Sequence, residues 1–208
     1  MRSVLTVMTV LIFCVSTRAA DFANQFVTAK LAYGAAVSLP RAWSVIDGSD
    51  RRALETTVGA AADLTGYAHA LEGTDSLLVA NFPNQAFYAS VTITSTILPQ
   101  STPFFLASIS EAQLKTMDGA LHSGITSMQA RLGARVKEWT PAIKTQLAGR
   151  TVLLTTYTRS TDSGESDVLM YKVFGSGRLY DIILSSRASA MRTNSLILER
   201  IATSFTAP

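Results

Sequence analysis

Cysteine is nearly absent from this chain of 208 residues, in which Cys14 is the single one. One thiol excludes a small scaffold held by disulfides, because such scaffolds carry several cysteines. Charged residues are also sparse, at 16% against about 25% in an average domain. With 48% hydrophobic residues, the composition excludes a disordered chain, a coiled coil and a collagen. The length fits one compact domain, since most domains hold roughly 100–200 residues.

Long apolar runs are missing after the first twenty residues. Met1 and Arg2 form a short basic start, and residues 4–15 are apolar except for two threonines. A membrane-spanning helix needs about 20 apolar residues, so this run is too short to be one. Small residues follow at Thr17 and Ala19, the positions that a signal peptidase reads. We therefore predict a cleaved secretory signal peptide at residues 1–19, a single α+β domain at residues 20–208, and no integral membrane segment after cleavage.

Cleavage after Ala19 changes what the remaining chain can do. Without cysteine it can form no disulfide, thiolate metal site or cysteine nucleophile. Cleavage also removes Arg2 and Arg18 from the 18 basic residues, which leaves one more basic residue than the 15 acidic ones. A near-neutral chain with no basic face is a poor match for nucleic acid, and we expect none. Cys14 raises the alternative of a lipoprotein, but Phe13 is too large for the position before a lipidated cysteine.

Alternation and turn residues predict strands in most of the remaining chain. Residues 88–98 alternate most clearly, which predicts a half-buried strand with one polar face of threonines. A Gly-Ser-Gly sequence at residues 175–177 predicts a hairpin turn. The other predicted strands cover residues 26–39 (broken at Gly34), 43–46, 76–82, 151–159, 168–174 and 178–185.

Helical periodicity appears in three segments, at residues 51–64, 111–132 and 188–203. Ser108 and Glu111 predict a capping box before the longest helix. Apolar residues recur along it at spacings of three and four, and this side is predicted to pack on the sheet. The opposite side is polar and includes Lys115, Asp118, His122 and Gln129. Hairpin-linked strands with few helices predict the α+β class, an antiparallel sheet with helices packed on its faces.

Candidate catalytic and metal-binding residues are few. The histidines are His69 and His122. Asp118 and His122 share a helical face and offer half of a metal site, although a surface hydrogen-bonded pair is favoured. No Gly-x-Ser-x-Gly elbow, Gly-x-Gly-x-x-Gly motif or P-loop occurs, so we predict no catalytic residue, no metal and no cofactor. Three acidic residues in one polar loop form a weak calcium candidate, although a solvated loop is favoured: Asp162, Glu165 and Asp167.

Three aromatic residues are the candidate partner-binding residues. Trp43 follows a turn and is expected to plug one edge of the sheet, with core packing as the favoured role. Phe104 and Phe105 precede the capping box. They are expected either to dock the long helix, which is favoured, or to form part of an exposed apolar binding patch.

Two stretches of the sequence resemble a known family. Val37-Ser38-Leu39-Pro40-Arg41-Ala42-Trp43, a strand ending in Leu-Pro-x-x-Trp, resembles the first hairpin of Mog1/PsbP-like domains, which include the periplasmic DcrB-like proteins of bacteria. Residues 178–184 and 197–205 are similar to the strand and the Ile-x-x-Ser-Phe helix with which those domains close. The resemblance spans residues 27–205 and implies an α/β/α sandwich around an antiparallel sheet. It also implies a non-catalytic binding or accessory role, with no catalytic, metal or cofactor residue.

These features favour an exported, non-catalytic binding or accessory protein that is periplasmic or secreted. Its expected partner is an envelope or exported protein, reached through protein–protein interaction. An immunity-type or secretion-system accessory protein is the first alternative. A small hydrolase that uses His69 or His122 is the second. The oligomeric state is left open.

Overall fold

The computed structural model describes residues 25–46, 74–82 and 88–208. The predicted signal peptide, the predicted helix at residues 51–64 and His69 lie outside these ranges. The strands and helices of the described part are β1 Phe26–Lys30, β2 Ala36–Pro40, β3 Ser44–Ile46, β4 Thr74–Phe82, β5 Ala89–Ile97, α1 Glu111–Arg131, β6 Arg135–Leu147, β7 Arg150–Thr161, β8 Gly164–Phe174, β9 Arg178–Arg187 and α2 Met191–Thr203. No helix in these ranges is both long enough and apolar enough to span a membrane.

Seven strands form one antiparallel sheet in the order β3-β4-β5-β9-β8-β7-β6, and β1 pairs with β2 in a separate hairpin. The mostly antiparallel sheet and the helices confirm the α+β class. β9 returns to the middle of the sheet, between β5 and β8. The predicted hairpin at residues 175–177 is confirmed. β8 begins at Gly164, inside the polar loop predicted at residues 161–166.

The first predicted strand is in fact two strands. A short turn at Ala32–Gly34 reverses the chain, so that β1 and β2 pair with each other. Tyr33 and Gly34 have φ values of 60° and 72°, in the left-handed region that ends an extended run. The predicted break at Gly34 thus marks a chain reversal, which a lone glycine in a strand pattern does not distinguish from a bulge.

Strand β6 was not predicted from the sequence. It contains Pro141 and several charged residues, which argue against a central strand. The structure places it at the sheet edge, where it pairs with β7 and where a residue without an N–H is tolerated. Irregular pairing between Val136 and Glu138 and between Thr140 and Ile143 breaks the alternation that would have indicated a strand.

Both faces of the central strands are buried. Ile182 and Leu184 of β9 belong to one hydrophobic cluster with Leu198 of α2, whereas Leu179 and Ile183 belong to two clusters that include residues of α1. Alternate residues of a strand project to opposite faces, so these clusters lie on opposite sides of the sheet.

The prediction that β5 is only half buried is wrong. Ser90, Thr92 and Thr94 on its polar face are 2%, 3% and 0% exposed. The strand lies between β4 and β9 in a sheet whose two faces are both covered, and a single strand's alternation does not report what covers its polar side.

Candidate functional site

Helix α1 begins with a capping box, but two residues later than predicted. The N–H of Gln113 donates to Ser110 Oγ over 3.3 Å, and the N–H of Ser110 donates to Gln113 Oε1 over 2.8 Å. Ser108 instead donates its hydroxyl to the carbonyl of Phe105, at 2.8 Å, within a 3-10 turn at Phe105–Ala107. Both serines fit the sequence pattern of an N-cap. Because the hydroxyl of Ser108 is used in the preceding turn, Ser110 is the N-cap residue of α1.

The apolar side of α1 packs on the sheet, as predicted, through Leu121 and Ile125. Its polar side also packs, on β6, which was not predicted. Asp118 Oδ1 accepts hydrogen bonds from Trp139 Nε1 at 3.1 Å and from the N–H of Ala142 at 2.7 Å. The ring of His122 stacks on Trp139 with centroids 4.6 Å apart. Gln129, placed on the same polar side, is 2% exposed. Ala142 lies where the β6–β7 pairing is irregular, so its N–H needs an acceptor from outside the sheet.

Asp118 is therefore expected to fix α1 to the edge strand. Replacing it by alanine removes the acceptor of two donors, which should cost about 2–4 kcal/mol of unfolding free energy, since bonds to charged groups contribute about 1.5–3 kcal/mol each and are not additive. Urea titration followed by tryptophan fluorescence measures this loss.

Asp118→Asn is the matched control, because an amide oxygen at the same place can still accept both hydrogen bonds. Asp118→Asn should therefore lose less than half of the unfolding free energy that Asp118→Ala loses. Equal losses in the two variants would show that the hydrogen bonds to Asp118 do not hold the helix.

The apolar side of α1 lines an open cleft of about 600 Å³. The cleft lies between α1 and strands β8 and β9. Its apolar lining includes Met117, Leu121, Ile125 and Met128 from the helix and Phe174 and Leu179 from the sheet. The polar side of α1 is fixed to β6 by the hydrogen bond from Trp139 to Asp118. Apolar residues on the other side of the helix therefore line the cleft.

Small residues on α1 leave room in the cleft. Ala120 and Gly124 are one helical turn apart, and both line it. A Cβ added at Gly124 would meet no atom within 4 Å. The same holds for Gly119, which lies on the same helix outside the described lining. Substitutions at these two glycines therefore form a matched pair: a larger side chain at Gly124 would occupy the cleft, and one at Gly119 would lie outside its described lining.

Two cations line the cleft in different surroundings. Lys172 Nζ lies 2.6 Å from Asp181 Oδ1, and the two side chains are 8% and 3% exposed. They lie directly opposite each other on β8 and β9. Arg131, in the last turn of α1, is exposed and makes no ion pair with another described residue. The positive charge of Lys172 is thus balanced by Asp181, whereas that of Arg131 has no ion-pair partner among the described residues.

The candidate partner-binding residues separate into two places. Phe105 is half-buried, stacks on Phe174 with centroids 4.8 Å apart, and lines the cleft. Its neighbour Phe104 is 80% exposed. Trp43 is 8% exposed and belongs to the hydrophobic cluster that includes Leu198, on the other face of the sheet. Their use in partner binding stays a prediction. The sequence analysis missed Lys172 and Arg131. The signal for Lys172 was a single charge inside the apolar run of residues 168–174.

The three acidic residues of the weak calcium candidate have separate environments. Asp162 is exposed, Glu165 pairs with Lys137, and Asp167 accepts a hydrogen bond from Thr158 at 2.8 Å. In the described ranges no group of three His, Cys, Asp or Glu side chains is placed to hold a metal ion.

Three tyrosines outside the described cleft lining have raised pKa values. The phenol of Tyr33 donates a 2.6 Å hydrogen bond to Asp75, which raises the pKa of Tyr33, and the guanidinium of Arg178 lies 3.3 Å from the centre of its ring. Burial raises the pKa of Tyr171 and of Tyr180. The contacts of Tyr33 tie the β1–β2 hairpin to the main sheet.

Comparison with known proteins supports the fold. The chain is similar to the solution structure of cyanobacterial PsbP (CyanoP) from Synechocystis sp. PCC 6803, with a TM-score of 0.58 and 14% identity over 88% of this chain and 93% of that chain. A crystal structure from Bacteroides thetaiotaomicron VPI-5482 aligns over 88% of this chain and 49% of that chain, with 6% identity and a TM-score of 0.49. No protein-family model and no curated protein matches the chain. This likeness supports an α+β domain with a PsbP-like fold.

Proposed function

We propose that this protein is an exported, non-catalytic binding or accessory protein of the cell envelope that acts through protein–protein interaction. The observation that supports this proposal most directly is Phe104, a large aromatic side chain that is 80% exposed. The turn that presents it is anchored, because Phe105 stacks on Phe174 and Leu106 is 0% exposed. A rigidly held, exposed aromatic residue is typical of the few residues that dominate a protein interface.

The hydrolase alternative receives less support from the described residues. The ring of His122 lies against Trp139, and the carboxylate of Asp118 accepts hydrogen bonds from Trp139 and Ala142. Neither group is thus arranged as the base or orienting acid of a nucleophile. An immunity-type or secretion-system accessory protein remains a narrower form of the proposal, with a toxin or an exported effector as the partner.

We further propose that the chain is a Mog1/PsbP-like domain of the DcrB-like kind, with the helices completing an α/β/α sandwich. The hydrophobic clusters on opposite faces of the sheet support this arrangement. Leu39 and Trp43 of the Leu-Pro-x-x-Trp motif both lie in the cluster that packs against α2. The predicted signal peptide at residues 1–19 supports a periplasmic or secreted location.

Site-specific photo-crosslinking tests the proposed interaction surface. A benzoylphenylalanine placed at position 104 and irradiated in intact cells should give one discrete product with an envelope or exported protein. Leu196 on α2 is also a large exposed hydrophobic residue, at 70%, and provides the matched control position.

The product formed at position 104 should be absent when the crosslinker is placed at position 196. An excess of wild-type protein should suppress the product at position 104, and an excess of Phe104→Ser protein should not. Identical products at both positions, or no product at position 104, would contradict the proposal.

A further inference from the structure

We propose that the cleft beneath α1 binds a single-chain amphiphile with an anionic head group, of the class of long-chain carboxylates. This ligand site is separate from the exposed surface at Phe104, and it does not depend on the identity of a protein partner. Three features carry the proposal: the length of the cleft, its apolar lining and the position of its unbalanced charge.

The length of the cleft fits an extended chain. The residues of α1 that line it run from Met117 to Arg131, a distance of about 21 Å at 1.5 Å per residue. Its volume of about 600 Å³ lies within the range of roughly 300–1,000 Å³ found for small-molecule sites. A long space of moderate volume suits one unbranched chain better than a compact ring system.

The lining fits a hydrocarbon. Met117, Leu121 and Met128 come from α1, and Phe174 and Leu179 face them from the sheet. Met117, Leu121 and Leu179 are only partly buried, so a hydrocarbon chain laid between them would remove apolar surface from water on the helix side and on the sheet side. The two methionines have flexible, polarizable side chains that adapt to chains of slightly different shape.

The charge pattern places the head group. Lys172 is balanced by Asp181 at 2.6 Å, so the lining residue that carries an unbalanced positive charge, within the described part of the chain, is Arg131. A guanidinium pairs with a carboxylate through two parallel hydrogen bonds. The head group is therefore assigned to the end of the cleft at Arg131, and the tail to the end at Met117 and Phe105.

Displacement of a fluorescent fatty acid tests the ligand class. The purified protein is titrated with cis-parinaric acid, whose emission rises in an apolar site, and the probe is then displaced by palmitate or by hexadecanol. Palmitate should compete at least tenfold more strongly than hexadecanol. Arg131→Gln should weaken palmitate about tenfold, leave hexadecanol unchanged and so remove the difference between them.

Two glycine variants locate the site. Gly124→Leu puts a side chain into the cleft without removing a contact and should weaken parinarate and palmitate more than tenfold. Gly119→Leu makes the same substitution on the same helix outside the described lining, and it should bind both ligands as the wild type does. Both variants replace glycine in one helix, so a general effect on folding would appear in both.

The proposal would be overturned if parinarate did not bind, or if palmitate and hexadecanol competed equally. It would also be overturned if the two glycine variants lost parinarate binding equally. A further contrary outcome is displacement of the probe by the protein captured at position 104 but not by palmitate. The last outcome would assign the cleft to a protein. Phe104→Ser should leave parinarate binding unchanged, so failure at the Phe104 surface and failure at the cleft are distinguishable.

Discussion

Replacing Lys172 by methionine should lower the free energy of unfolding by about 3–5 kcal/mol, because it leaves a buried carboxylate without its cation. Asp181 is 3% exposed and lies 2.6 Å from Lys172 Nζ on the neighbouring strand. Methionine keeps nearly the same length and shape, so the expected loss comes from the charge rather than from a cavity. Urea denaturation followed by the fluorescence of Trp43 and Trp139 measures it.

Two further variants separate this effect from a general sensitivity to losing a lysine. The double change Lys172→Met with Asp181→Leu should restore most of the stability, because a buried ion pair exchanged for packed apolar residues is often neutral or stabilising. Lys137→Met removes the exposed pair with Glu165, whose side chains are 52% and 46% exposed, and should cost less than about 1 kcal/mol. Equal losses in the single and double variants would show that the ion pair does not set the stability of this part of the sheet.

Leu198→Ala should destabilise the protein by about 2–5 kcal/mol, the usual cost of truncating a buried leucine. Leu198 is 1% exposed and joins α2 to the hydrophobic cluster of the central strands. The loss combines transfer of the side chain to water with the cavity left between α2 and the sheet. The change in the urea midpoint, at constant dependence on urea concentration, reports it.

Leu196 is the internal control for that prediction. It lies two residues away on α2 but is 70% exposed, and Leu196→Ala should change stability by no more than about 0.5 kcal/mol. The two variants make the same change in helix propensity, so their difference isolates burial. Similar losses at both positions would mean that α2 does not pack as the structure shows.

Local pattern predicted the elements whose signal lies in neighbouring residues. The strands β4, β5, β8 and β9 and the helices α1 and α2 were found by alternation or by helical spacing, with boundaries within a few residues for most of them. Strand β6 was missed because Pro141 and the irregular pairing around it remove alternation. The cap of α1 was placed at Ser108 rather than Ser110, because both serines fit the pattern and the preceding turn chooses between them.

The cleft was not predictable from the same signals. The apolar stripe of α1 correctly predicted a side that packs on the sheet. It did not indicate that hydrogen bonds from Trp139 and Ala142 to Asp118 also fix the polar side to the edge strand. Phe104 and Phe105 were singled out by their position in the sequence. The structure separates them, since one is 80% exposed and the other is stacked against Phe174.

The sequence by itself determined the α+β class, most of the strands and helices and the apolar side of α2, because each depends on propensities and periodicities within a short window. Only the tertiary structure decided that the threonine face of β5 is buried, that Lys172 meets Asp181, and that α1 leaves an open cleft lined by its apolar side. Each of these features depends on which strands become neighbours in the sheet and on which hydrogen-bond donors of β6 need an acceptor from α1. Both are decided by contacts between residues that are far apart in the chain.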